Sequence, residues 1–160
     1  MISIRRQFVG QTVVYNHVRR PQRMSVDTFL FVREPLPTVN EWQAALDGVG
    51  LKIKLDPEVD DLPAFTGYLP AVFDDQPSGF EFYFDTAENA FGDCPDALGD
   101  RTHAVTFATH SDIRELVCAL YAAGALAKIT DGLLFDEDSG EFVDSNRILA
   151  MAKEIGDAEL

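Results

Sequence analysis

Residues 132–144, GLLFDEDSGEFVD, set Asp136, Glu137, Asp138, Glu141 and Asp144 between two short apolar runs. Crowded carboxylates can hold a hard cation, share a proton as an acid–base pair, or solvate a turn, and spacing decides among these. The pattern Asp136-x-Asp138-x-Gly140 imitates the start of an EF-hand loop, which needs glycine at its sixth position and a bidentate glutamate at its twelfth. Here glycine stands fifth and Arg147 twelfth. The calcium reading fails on both, and Asp138, Ser139 and Gly140 read as turn formers, glycine being free to take positive φ.

A second group is His103, His110 and Asp112. Imidazole and carboxylate can bind zinc or shuttle protons. Seven residues separate the two histidines, however, so on one regular strand they face opposite sides. Asp112 has a sufficient role as a helix cap. A third group lies in GFEFYFD, residues 79–85, where Glu81 and Tyr83 share the polar face of an aromatic strand. Together with His103 and His110 they make the alternative reading: a small enzyme or ligand-binding domain with a pocket on that sheet. Nucleotide-binding glycine loops, nucleophile elbows and HExxH are absent from the sequence, and no cofactor or metal is expected.

The elements that must position these groups follow from periodicity. Residues 27–33 put Phe29 and Phe31 on one face and Leu30 and Val32 on the other, a strand buried on both sides. Thr38 stands three residues before Glu41, a capping box opening a helix through Trp42, Ala45, Leu46 and Val49. LKIKL (51–55) alternates as an edge strand, and DPEVDDLP is a loop by composition. TGYLPAVF (66–73) and GFEFYFD form a hairpin with DDQPS as its turn, Phe80, Phe82 and Phe84 on the buried face. A short helix and loop occupy 86–100, and RTHAVTFAT (101–109) is a further strand. Ser111 or Asp112 caps a long helix carrying Ile113, Leu116, Val117, Leu120 and Tyr121, whose small-residue run AAGALA (122–127) marks it as the central buried helix. GLLF and EFV make a small hairpin around the acidic turn. A last helix starts at Asp144 or Ser145, bears Ile148, Met151, Ala152 and Ile155, and stops before Gly156. The expected fold is α+β: one largely antiparallel sheet with two to three helices packed on one face, in a single domain over residues 24–160.

Charge adds a direction. The chain carries 13 Lys and Arg against 27 Asp and Glu, net −14 over its 160 residues. Arg5, Arg6, Arg19, Arg20 and Arg23 lie in residues 1–23, which hold no acid, so residues 24–160 carry 8 bases against 27 acids, or −19. Such a body repels nucleic acid and anionic membranes and favours a basic protein partner. Residues 1–23 read as a basic appendage or an added edge strand, with Met24 a plausible second start. They lack the long apolar core of a signal peptide. No apolar run approaches the roughly 18 residues of a membrane span. Two cysteines without zinc spacing fit reduced thiols, and the expected compartment is the cytoplasm.

The run FLFVREPLPTVNEWQAALDGVGLKIKLDP, the segment TGYLPAVFDDQPSGFEFYFD and the stretch ALAKITDGLLFDEDSGEF, within residues 25–155, resemble small acidic bacterial immunity proteins encoded beside interbacterial or polymorphic toxins. That resemblance implies a non-catalytic protein that binds a cognate toxin and blocks its active site or substrate access. Charge and resemblance together make Asp60, Asp61, Asp74, Asp75, Asp136, Glu137, Asp138 and Glu141 the candidate partner-binding carboxylates. A homo-oligomeric module, with LKIKL or the aromatic hairpin at its interface, is a further alternative.

Overall fold

The computed structural model describes residues 25–160; the expectations for residues 1–23 lie outside the described residues. In chain order the elements are β1 (Ser25–Val32), α1 (Val39–Gly48), β2 (Ile53–Leu55), β3 (Gly67–Phe73), β4 (Gln76–Thr86), α2 (Ala87–Phe91), β5 (His103–His110), α3 (Ile113–Thr130), β6 (Leu133–Asp136), β7 (Glu141–Val143) and α4 (Ser145–Glu159). The strands form one seven-stranded sheet in the order β2-β3-β4-β5-β1-β6-β7, and every pairing is antiparallel. The α+β expectation therefore holds. The end of the sheet where β5 finishes at His110 is called the upper end below.

Alternation along the strands explains the layers. Leu30 and Val32, Leu69 and Ala71, Phe80 and Phe82, and Val105 and Phe107 point to one face, where they join Trp42, Leu46, Leu120, Leu126 and Ile148 from α1, α3 and α4 in the main core. Trp42 sits at its centre, beside Phe80, Phe82 and Phe107, and its indole N–H donates to the Ala122 carbonyl at 2.9 Å. Helix α1 opens with the expected capping box: Thr38 accepts from the Glu41 amide and Glu41 from the Thr38 amide.

Helix α3 is buried along almost its whole length, because the sheet, α1 and α4 all touch it. Its small residues make that possible. A Cβ on Gly124 would stand 2.6 Å from Leu149 Cδ2 of α4, so the Leu149 side chain packs directly onto the bare Cα and would have to shift for any larger residue. Cys118 is fully buried in this helix, and burial pushes its thiol up to about 12. Asp112 caps the helix, its carboxylate accepting from the Arg114 and Glu115 amides, and Asp131 ends it in the left-handed region at φ 54.

On the opposite face Asp27 and Ala108, toward the upper end, are buried as well, and among the described residues a second aromatic layer lies at the lower end. There Phe91 of α2 meets Phe29, Phe31 and Phe135 edge-on, and Phe142 of β7 completes a second small cluster around Phe31.

Three local expectations need correction. The β3–β4 turn is not DDQPS but the two residues Asp74 and Asp75, both at positive φ (53 and 66), the backbone of a two-residue type I′ hairpin; Gln76 to Ser78 continue into β4. The last helix passes through Gly156 to Glu159, where a Cβ would meet Val117 at an ordinary 3.5 Å. Val49 caps α1 rather than belonging to it. Among the described residues no helix is long and apolar enough to cross a membrane.

Candidate functional site

The acidic turn behaves as its spacing suggests. Asp136 Oδ1 accepts from the Asp138 amide at 3.1 Å and Oδ2 from the Ser139 hydroxyl at 3.0 Å. The Gly140 amide closes the turn on the Asp136 carbonyl at 2.7 Å. Both oxygens of Asp136 are thus engaged in holding the hairpin, and Gly140 takes φ 75. Among the described residues no group of three or more His, Cys, Asp or Glu side chains is placed to hold a metal ion.

The eight candidate partner-binding carboxylates fall into three places. Asp74 and Asp75 are exposed at the upper end, in the β3–β4 turn. Asp136, Glu137, Asp138 and Glu141 are also at the upper end, in or beside the β6–β7 turn. Four strand spacings separate the two turns, on the order of 19 Å. Asp60 and Asp61 are exposed in the β2–β3 connection, which leaves from the lower end of β2. The first two groups share one rim of the molecule, and the third does not.

The alternative set divides as well. His103 and His110 begin and end β5, on opposite faces. His103 stacks on Phe84 with ring centroids 5.2 Å apart, and its Nε2 stands 3.6 Å from Glu34 Oε2. It lines a lower cleft of about 730 Å³ with Cys94, Asp96 and Arg101. The other three residues converge on the face opposite the main core. Glu81 lies beside Ala108 in the register of β4 with β5, one strand step from His110. Its Oε1 accepts the Tyr83 hydroxyl at 2.5 Å and its Oε2 is 2.6 Å from His110 Nε2. The Tyr83 hydroxyl first, and His110 second, hold the Glu81 carboxyl below its ordinary value, while the same bond and partial burial raise the Tyr83 phenol.

Sequence reasoning missed Tyr68, which pairs with Glu81 across β3 and β4. Its ring crosses Gly79 and its hydroxyl donates to Glu115 Oε2 on α3 at 3.0 Å. The bare Cα of Gly79 permits this, since a Cβ there would come within 2.6 Å of the Tyr68 ring and the Leu69 carbonyl. Partial burial, with Glu115 beside it, pushes the Tyr68 phenol up to about 12. The period-two pattern of TGYLPAVF does place Tyr68 outward, but contact with a helix 47 positions away has no local signal.

Five of the eight bases of residues 24–160 are committed elsewhere. Arg33 binds Asp100 and Asp131 at 2.5 and 3.1 Å, Arg101 binds Asp131 at 3.3 Å, Lys54 binds Asp47, Arg147 binds Glu154 and Lys153 binds Asp157. Arg114 lies over the Phe73 ring at 5.5 Å. Most of the positive charge of residues 24–160 is therefore spent on internal ties at the lower end, the β2 edge and α4. Comparison of the chain with family models, with curated proteins and with solved structures gives no match.

Proposed function

We propose that the protein is a non-catalytic binding and inhibitory protein of the immunity type, which neutralises a basic bacterial toxin by covering it with an acidic surface. The observation that carries this reading is the charge map. Residues 24–160 hold 27 acids and 8 bases, and five of those bases, Arg33, Lys54, Arg101, Arg147 and Lys153, already sit in ion pairs within the chain. The negative surplus is presented outward, including the exposed Asp74, Asp75, Asp138 and Glu141 on the upper rim. A field of one sign steers an oppositely charged protein into encounter and discriminates against acidic competitors. A nuclease-like toxin, basic because it must grip phosphates, has the complementary charge.

The test is to purify the protein and the product of the neighbouring gene and measure association by titration calorimetry and stopped flow. The expected result is a complex with an on-rate that falls steeply as salt rises, and loss of the toxin's activity at equimolar inhibitor. Absence of a complex at micromolar concentration, in low as well as physiological salt, overturns the reading.

A further inference from the structure

Resting on that reading, we infer where the partner docks and what it presents: the outer side of β3 and β4, where Tyr68 and Tyr83 are exposed, receives an arginine side chain of the basic partner, with Glu81 as its counter-charge and the two tyrosines as the apolar floor. Three large apolar side chains are exposed on this one face, Tyr68 (48%), Tyr83 (38%) and Val72 (43%). They occupy two adjacent strands whose other faces are buried in the main core. Tyrosines are a preferred component of protein interfaces, since they bury large area at little entropic cost and keep a polar tip. The carboxylate of Glu81 lies among them and is about one third exposed, its side chain being 31% accessible.

The arrangement is prepared rather than loose. Tyr83 and His110 fix the two Glu81 oxygens from either side. Tyr68 is pinned flat over Gly79 by Glu115. Each carboxylate oxygen keeps a second lone pair after those bonds. A guanidinium is planar, always charged, forks onto a carboxylate and stacks on aromatic faces, whereas an ammonium does none of the planar matching. Lys54 on the β2 edge is tied to Asp47 at 3.3 Å, and the one basic side chain that the described residues bring to Glu81 is His110, a cation only when protonated, at a single oxygen. Charge complementarity therefore selects arginine from outside.

The experiment uses the full chain, isotope-labelled for NMR, titrated separately with nona-arginine and nona-lysine peptides of equal charge. The expected result is that shifts centre on Tyr68, Glu81, Tyr83 and His110, with arginine bound at least about 5-fold more tightly than lysine. The double variant Glu81→Gln, Tyr83→Phe is expected to lower arginine affinity about 10-fold, the loss of one charge-assisted contact. Glu159→Gln, at the exposed end of α4, should change it less than about 2-fold. Both changed positions in the first variant reach solvent, and an unchanged amide spectrum away from β4 confirms its fold. Shifts centred on residues 74–75 or 136–141, without preference for arginine, overturn this docking face while leaving the basic-partner reading standing. No binding of either peptide overturns both.

Discussion

Within β4, Phe80 and Phe82 are fully buried against Trp42 while Glu81 and Tyr83, one residue away, reach solvent. The two faces of this strand obey different rules. The inner face answers to volume: rings touch rings, and each side chain is fixed by the shape of its neighbours. The outer face answers to bonding: Tyr83, Glu81, His110, Tyr68 and, from α3, Glu115 are set by hydrogen bonds at 2.5 to 3.0 Å. A core face constrains a sequence by what fits inside the molecule.

Substitutions break or sharpen that contrast in a definite order. Trp42→Ala should cost the most, about 3–5 kcal/mol in urea unfolding, because it empties the centre of the core and leaves the Ala122 carbonyl without the indole donor. Gly124→Leu should follow at about 1–3 kcal/mol, since Leu149 must move for any side chain to enter between α3 and α4. Asp112→Ala removes a cap that serves two amides and should cost about 1 kcal/mol, read as the same shift in denaturation midpoint.

On the outer face the effects on stability are smaller and take the form of pH dependence. The Glu81 carboxyl is depressed below its ordinary 4.5 by the Tyr83 hydroxyl and then His110. A depressed carboxyl stabilises the folded state above its unfolded pKa, and that contribution is lost as pH falls through the lower folded value. The stability difference between the native protein and Glu81→Gln should therefore be present at neutral pH and shrink below about 4.5, with a size under about 1 kcal/mol. Tyr83→Phe should raise the Glu81 titration midpoint in carboxyl-detected NMR while leaving the urea midpoint within about 0.5 kcal/mol. A loss as large as that of Trp42→Ala would show that the outer face is a structural one.

Much of the fold was legible because its signals are local. Thr38 and Glu41, three residues apart, announce a helix start by mutual hydrogen bonds, and the Phe alternation in β4 announces which side is buried. The acidic turn was legible for the same reason: Asp136 bonds within three residues of itself. The tight Asp74–Asp75 turn was not, because non-glycine residues at positive φ are uncommon and DDQPS offers longer turns with equal local merit. Gly156 misled because packing against Val117 carries the helix past a residue whose own propensity would end it. The candidate site was legible as far as Glu81 and Tyr83. His110 joins them, and His103 does not, through a register with β5 set by pairing across 29 positions in sequence. Tyr68 stands beside Glu81 through the β3–β4 register and is held by a bond to Glu115 on α3, 47 positions away.

The depth of Cys118 makes the molecule its own timekeeper. An alkylating reagent attacks the thiolate, and this thiol is both enclosed beneath α3 and held near 12, so it reacts only when the helix lifts from the sheet. Cys94 is exposed and needs no such opening. Labelling therefore proceeds in two phases, the first reporting the surface and the second the opening frequency of the core. A partner that docks on the outer face and stabilises the sheet would lengthen the second phase alone.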